Sequence, residues 1–307
     1  MLKYSKPLGL VVFVFLFAMC NQKSKNETEK ETILKGSLDL AVDETVKQIV
    51  DDQVAVFEGT YYDAKIKVKP ESEAEVINDL LNQKAKVAIT TRDLTVEEKA
   101  RFDKSKINPR VTPFAHDAIA FISSKSNNDT LIALKTVIDF MQGKTDGKIK
   151  GLVFDNPNSS TVRYMKELAK VNEIPKSGVF SFKTNNEVIK FVSENEGMIG
   201  VIGINWFYQP TPDMTETINK INVLYVKGLN SNEYYSPTQN DLEIGKYPLA
   251  RDLFIINCQG YSGLGMGFAS FIAGDIGQRI ILKSGLLPYK TPGRKLKIRN
   301  EIIKDKE

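Results

Sequence analysis

Ile149-Lys150-Gly151-Leu152-Val153-Phe154 is followed by Asp155-Asn156-Pro157-Asn158-Ser159-Ser160-Thr161, and then by the amphipathic residues 162–171. The apolar run predicts a buried strand, and the hydroxyl residues predict a loop that begins a helix. A strand, a hydroxyl-rich loop and a helix N-terminus in succession present backbone N–H groups and hydroxyls to an oxyanion. This order predicts binding of an anion without a catalytic group.

Strands and helices alternate along the chain from about residue 33 onward. Predicted strands cover residues 36–42, 64–68, 86–90, 118–123, 198–204 and 253–258. Predicted helices include residues 131–141, 162–171, 186–194 and 268–283. Such alternation is typical of parallel strands joined by crossover helices, and so predicts an α/β fold. The length leaves room for two domains of ordinary size.

The N-terminal residues predict secretion. Lys3 and Lys6 precede an apolar run, residues 8–19, which is too short to span a bilayer and reads as a signal peptide over residues 1–19. The following residues, 20–32, are almost wholly polar and predict a flexible tether.

The junction Leu16-Phe17-Ala18-Met19-Cys20 resembles the lipobox of bacterial lipoproteins. The resemblance implies cleavage before Cys20, a lipid on its sulfur and an anchor in the membrane, on the periplasmic or cell-surface face. Met19 departs from the pattern, because the family usually has Gly, Ala or Ser there. An uncleaved anchor and a plain secreted form are the alternatives.

Composition excludes several classes of function. The 42 basic and 38 acidic side chains give a net charge of +4, too small and too evenly spread for nucleic-acid binding. With Cys20 lipidated, Cys258 has no partner for a disulfide and is most simply a buried apolar residue. The glycine-rich residues 260–267 lack the small residue that a dinucleotide fingerprint needs, because position 268 is Phe268.

No hydrolase elbow, zinc-binding helix or Walker loop occurs in the sequence, so no enzyme, metal site or cofactor is expected. His116 beside Asp117 suggests a dyad, although hydrogen bonding at a strand end is the favoured interpretation of Asp117.

Four stretches resemble, in the same order, the phosphate-type substrate-binding proteins of ABC importers. They are Lys86-Val87-Ala88-Ile89-Thr90-Thr91-Arg92-Asp93-Leu94-Thr95, the loop 155–161, the glycine-spaced strand 197–203, and the tail segments 245–251, 277–278 and 285–288. The resemblance covers nearly the whole chain beyond the tether.

The resemblance implies a two-lobed periplasmic-binding-protein fold of type II, in which each lobe is a mixed sheet flanked by helices. Lobe one is expected to comprise residues 33–115 and 247–300, and lobe two residues 116–246. A monomer of this kind closes by a hinge over phosphate, or a similar small oxyanion, held in the cleft between the lobes. It then delivers the ion to an ABC permease.

The resemblance also implies a ligand site without metal. Its expected members are Thr45, Ser72, Thr90, Thr91 and Arg92 from lobe one, Asp117 at the first crossover, and Ser159, Ser160, Thr161 and Arg163 from lobe two. Each has a simpler interpretation. The hydroxyl loop can be only a helix cap, Arg92 can pair with Asp93 or Glu97 at the surface, and Arg163 can lie on a solvated helix face.

Two features depart from the family. Ser160 stands where the family's phosphate loop has a glycine, and two predicted helix starts carry carboxylates: Asp43 and Glu44 beside Thr45, and Glu71 and Glu73 around Ser72. The favoured interpretation is that these acids point away and stabilise the helix dipoles. The other is that they select a protonated or cationic ligand group. A ligand-sensing or interaction lipoprotein with the same fold, unable to bind phosphate, is therefore a second hypothesis.

Overall fold

A computed structural model describes residues 31–144, 147 and 149–293. The predicted signal peptide, Cys20 and nearly all of the predicted tether lie outside these residues, as do residues 294–300 of the predicted lobe one. The lipidation of Cys20 therefore stays a prediction.

The described strands alternate with helices, as the sequence predicts. The strands are β1 (Gly36–Asp43), β2 (Ala64–Glu71), β3 (Val87–Thr90), β4 (Arg110–Ser124), β5 (Leu131–Ala133), β6 (Gly151–Phe154), β7 (Val179–Ser181), β8 (Met198–Gly203), β9 (Ile221–Val223), β10 (Tyr225–Lys227), β11 (Tyr234–Tyr235), β12 (Ala250–Asn257) and β13 (Leu287–Pro288). The α-helices are α1 (Lys47–Thr60), α2 (Glu73–Leu81), α3 (Val96–Lys104), α4 (Leu134–Met141), α5 (Ser160–Ala169), α6 (Asn185–Glu194), α7 (Asn205–Tyr208), α8 (Thr215–Ile218), α9 (Gln239–Glu243), α10 (Leu264–Ile272) and α11 (Asp275–Lys283).

The main sheet is mixed, with strand order β2-β1-β3-β12-β4-β8-β6-β7. Its parallel pairs are β1 with β2 and β3, and β6 with β7 and β8. Strand β12 is antiparallel to β3 and β4, and β4 is antiparallel to β8. A smaller sheet joins β5, β10 and β11.

Strand β4 changes partner along its length. Its residues from Arg110 to Ala118 pair with β12, whereas its residues from Ile119 to Ile122 pair with β8. From Phe114 to Ser124 nearly every residue of β4 is buried, which explains the apolar run that predicts a strand there. The change of partner after Ala118 divides the sheet into two halves that share this strand.

The predicted α/β class is confirmed, but two predicted helices differ from the structure. Residues 131–133 of the predicted helix 131–141 form β5, because their backbone pairs with β10. The predicted helix 268–283 is two helices, α10 and α11, and Gly274 begins the second as its N-cap. The predicted lobe boundaries stay a prediction.

The largest core cluster spans both halves of the sheet. It includes Phe57 of α1, whose ring lies edge-on to Phe268 and Phe271 of α10, with centroids 5.3 and 5.2 Å away. A second cluster, around Phe102 of α3, packs on the other side of β3 and β12. Helices thus cover both faces of the sheet, and only the strand ends are left to form a polar site.

Candidate functional site

A buried ion pair joins the two halves of the sheet where β4 changes partner. Arg251 and Asp117 lie directly opposite each other in the β12–β4 ladder. The Nε and Nη2 atoms of Arg251 lie 2.8 and 2.7 Å from Oδ2 of Asp117, and both residues are buried. Burial raises the pKa of Asp117, and the guanidinium of Arg251 opposes that shift.

The same guanidinium reaches one hydroxyl from each half. Its Nη2 donates to Oγ1 of Thr45 at 3.2 Å, and its Nη1 donates to Oγ of Ser160 at 3.0 Å. The two hydroxyl oxygens are themselves 3.0 Å apart and share a hydrogen bond. Thr45 follows β1 and Ser160 begins α5, so this contact joins segments 115 residues apart. We call Thr45, Asp117, Ser160 and Arg251 the arginine cluster.

Strand β8 and the helix α7 that follows it support the cluster from the second half. The indole Nε1 of Trp206 donates to the carbonyl of Thr45 at 2.8 Å. A Cβ atom at Gly203, the last residue of β8, would lie 3.1 Å from that carbonyl and 3.2 Å from Nη2 of Arg251. The close approach explains why the strand ends in glycine.

The residues of the hydroxyl loop have different roles: Ser159 caps a helix, and Ser160 belongs to the arginine cluster. Ser159 is the N-cap of α5: its Oγ accepts the N–H of Val162 at 3.2 Å and donates to Oδ1 of Asp155 at 2.5 Å. The Oγ1 of Thr161 is buried and has no hydrogen-bond partner among the described residues. The simpler interpretation therefore holds for Ser159, whereas Ser160 joins the arginine cluster.

A second polar group forms around Glu73, at the start of α2. Its carboxylate is 2% exposed, accepts the hydroxyl of Thr91 at 3.1 Å and pairs with the guanidinium of Arg163. The Nε of Arg92 lies 3.8 Å away, although the main partner of Arg92 is Glu98, which it contacts twice at 2.8 Å. Arg163 thus contacts a buried acid and does not lie on a freely solvated face.

Two of the predicted site hydroxyls donate hydrogen bonds to residues close to them in sequence. Ser72 donates to Oε2 of Glu75 at 2.7 Å, within the capping box of α2. Thr90 donates to the carbonyl of Arg92 at 2.8 Å. Neither contacts the arginine cluster.

Asp43 caps a helix start, as the favoured interpretation expects, and Glu73 lies in the first turn of α2; both side chains are buried. The Oδ1 of Asp43 accepts the N–H of Thr45 at 3.0 Å. Asp43 is thereby the N-cap of a 3₁₀-helix, Glu44–Val46. Glu73 is the counter-charge of Arg163. A guanidinium group taken out of water requires an acid beside it, which explains the burial of Glu73.

Asp155, directly after β6, is the fourth buried acid here and was not among the predicted site residues. Besides Ser159, it accepts the side-chain N–H of Asn185 at 3.1 Å. Burial raises its pKa to about 7. Burial, Asp155 and Asp43 also raise the pKa of Glu44 to about 7. For Asp43 the pKa is raised by burial and by Glu73, against the opposing effect of Arg251.

Sequence reasoning also missed Arg251. It stands in a stretch quoted for the resemblance, but only the strand register places it opposite Asp117. His116 points to the other face of β4, because side chains alternate along a strand. Its Nδ1 lies 2.6 Å from Oδ1 of Asp252, so His116 contacts Asp252, whereas Asp117 lies inside β4 and pairs with Arg251.

The strand order, with its exchange of partners along β4, is that of a two-lobed binding-protein fold. A model described as "PBP superfamily domain" matches residues 27–275, and the chain belongs to that superfamily.

Comparisons with individual proteins agree. The chain is 27% identical over 308 residues to the phosphate-binding protein PstS of Borreliella burgdorferi, covering 93% of this chain and all of the relative. The crystal structure of PstS from Borrelia burgdorferi is 25% identical, with a TM-score of 0.53 over 84% of this chain and 100% of that one. A Clostridium perfringens protein, described as a phosphate ABC transporter substrate-binding protein with bound phosphate, has 19% identity and a TM-score of 0.68. It covers 83% of this chain and 100% of its own.

Among the described residues, no helix combines the length and the apolar character needed to cross a membrane.

Replacing Arg251 by Met should destabilise the fold strongly, because the substitution leaves the buried Asp117 without its counter-charge. We expect the free energy of unfolding in denaturant titrations to fall by about 3–5 kcal/mol. The matched control is Arg279→Met, which removes an exposed pair with Asp275 and should leave the free energy of unfolding nearly unchanged. If the free energy of unfolding fell equally in the two variants, the buried pair would contribute no more to stability than the exposed pair does.

The raised pKa of Asp155 predicts that stability increases on acidification. Because the folded protein binds a proton near pH 7 and an unfolded carboxyl does so near 3.8, unfolding becomes harder as pH falls from 8 toward 5. Asp155→Asn should raise the melting temperature at pH 8 and reduce this pH dependence. The amide of Asn185 can rotate to pair with the new side chain, since its Oδ1 has no partner among the described residues.

The control for that experiment is Asp51→Asn, which affects an exposed pair with Lys47. It should leave the pH dependence of the melting temperature unchanged. An Asp155→Asn protein whose melting temperature varies with pH as in the wild type would contradict the assignment.

Proposed function

We propose that the protein is an extracytoplasmic solute-binding protein that captures phosphate, or a similar small oxyanion, for an ABC importer. The observation that carries the proposal is the arginine cluster, in which one guanidinium gathers hydroxyls from both halves of the sheet. The Oγ1 of Thr161, which has no hydrogen-bond partner in the part of the chain that the structure describes, adds a buried polar group in the first turn of α5. Relatives described as phosphate-binding support this choice of ligand.

Capture proceeds by hinge closure. Thr45 precedes the first crossover and Ser160 follows it, so a ligand bound to both hydroxyls favours the state in which the two halves are close together. In this proposal Arg163 of α5 and Glu73 of α2 form a second contact between the two halves of the sheet, because the two helices belong to different halves. Ser159 serves indirectly, by beginning α5.

The proposal includes the predicted cellular setting. The mature chain begins at a lipidated Cys20, the tether holds it at the membrane, and a monomer passes its ion to a permease. It involves no catalytic step and no cofactor.

A second candidate is a sensing or interaction lipoprotein with this fold that no longer binds phosphate. The buried acids Asp43, Glu73 and Asp155 favour it, because each opposes a second negative charge in the cleft. Ligand titration separates the two candidates.

We expect the fluorescence of Trp206 to change saturably with micromolar phosphate, and weakly or not at all with sulfate. Trp206 is the only tryptophan in the sequence and donates to the backbone of Thr45, so it reports directly on the cluster. Micromolar affinity corresponds to about −8 kcal/mol, which a handful of charge-assisted hydrogen bonds can supply. Absence of binding by calorimetry for phosphate, sulfate and molybdate would support the sensing candidate.

Thr161→Val and Ser160→Ala should each weaken phosphate binding by about tenfold or more, since a hydrogen bond to a charged group contributes about 1.5–3 kcal/mol. Val keeps the shape of Thr at position 161 and removes only its hydroxyl. The matched control is Thr136→Val in α4, which should bind as the wild type does. If both site variants fold and bind phosphate with unchanged affinity, the hydroxyl loop serves only as a helix cap.

A further inference from the structure

The buried polar region holds more carboxylates than guanidinium groups. The carboxylates are Asp43, Glu73, Asp117 and Asp155, each no more than 2% exposed. The guanidinium groups are those of Arg92, Arg163 and Arg251. Arg92 and Arg163 are also shared with the more exposed Glu98 and Glu167. The region is therefore short of positive charge before any anion enters.

Two carboxylate oxygens in this region lack a hydrogen-bond donor. The Oδ2 of Asp43 and the Oδ1 of Asp117 are buried, and neither has a partner among the described residues. An ionised carboxylate can only accept hydrogen bonds, whereas a protonated one also donates. Within the described ranges, no three His, Cys, Asp or Glu side chains are grouped to bind a metal ion.

We propose that the anion enters this site together with a proton taken from solvent, which the buried pair Asp43 and Asp155 carries while the anion is bound. This inference rests on the proposed function and specifies it: the protein is a proton-coupled oxyanion binder whose affinity rises as pH falls from 8 to 6.

Asp43 and Asp155 lie on either side of the contact between Thr45 and Ser160. Asp43 accepts the N–H of Thr45, Asp155 accepts the hydroxyl of Ser159, and the hydroxyl oxygens of Thr45 and Ser160 are 3.0 Å apart, so the two acids flank this contact from opposite halves. Their electrostatic interaction is one cause of the raised pKa of Asp155. Two acids coupled in this way titrate as a pair.

Other charged groups around the pair set the direction of the effect. Glu44 on the 3₁₀-helix, Glu73 on α2 and Arg251 on β12 act on the pair electrostatically. Asp117 on β4 pairs with Arg251, and Arg163 on α5 pairs with Glu73. Most of them are negative, so an incoming anion increases the cost of leaving Asp43 and Asp155 both ionised. Binding and protonation therefore promote each other.

The test is calorimetry of inorganic phosphate binding to the purified protein at pH 7.5, in buffers with different enthalpies of ionisation. The dependence of the heat on the buffer gives the number of protons taken up. We expect uptake that approaches one proton per phosphate, and an affinity that increases about fivefold between pH 8 and pH 7, because a group with a pKa of about 7 is already half protonated at pH 7.

Asp155→Asn distinguishes a proton on the protein from one on the phosphate ion. The variant should bind phosphate with proton uptake lowered by close to one, and with a weaker dependence of affinity on pH. Asp43→Asn is the second variant, should Asp155→Asn fail to fold, and should lower the uptake in the same direction. Asp51→Asn, outside the site, should take up protons as the wild type does.

Each outcome has a distinct meaning. Saturable binding of phosphate without proton uptake, or uptake that both site variants retain in full, overturns the inference and leaves the proposed function standing. No heat and no change in Trp206 fluorescence at any pH from 6 to 8 overturns the proposed function, and this inference with it.

Discussion

The structure depends on placing one guanidinium in the interior. Arg251 lies where β4 exchanges β12 for β8, and a charge buried at that point is stable only beside an opposite charge. Asp117, directly across the ladder, provides that charge, and the remaining N–H groups of Arg251 reach Thr45 and Ser160. The pair therefore holds the two halves of the sheet in register and also positions the hydroxyls on which the proposed binding depends.

The carboxylates follow from the same constraint. Arg163 extends from α5 toward α2, and Glu73 is its buried partner there. Asp43 satisfies an N–H at the start of the 3₁₀-helix, and Asp155 holds the hydroxyl that begins α5. Each acid thus has a structural role that is independent of any ligand. Removing the charge of Glu73 would leave Arg163 without its buried counter-charge, which explains how an acid there can coexist with a site for anions.

The local sequence pattern predicts much of the fold but few of the buried ion pairs. The apolar runs of β1, β3, β4 and β6 and the hydroxyls at the start of α5 were recognisable, because burial and helix capping leave short-range signals. Arg251 and Asp117 are 134 residues apart, and their pairing exists only in the strand register. Asp43 and Glu73 were noticed, but helix-start acids usually face solvent, and nothing local indicates that α5 and β12 cover them. The short strand β5 was missed because its partner, β10, lies about 90 residues further along.

The acids near a bound anion can be either ionised or protonated, and the free energies of the two states can be compared. An ionised carboxylate about 5 Å from an anion, at an effective dielectric constant near 20, costs about 3 kcal/mol, while a charge-assisted hydrogen bond contributes about 1.5–3 kcal/mol. Two ionised acids would therefore offset two to four of the donors that Thr45, Ser160, Thr161 and Arg251 provide. Protonating a group with a pKa of about 7 costs only about 1.4 kcal/mol at pH 8, and less at neutral pH. Since neutralising Asp155 is cheaper than tolerating its charge, an acidic lining is compatible with anion binding, provided that a proton accompanies the ion.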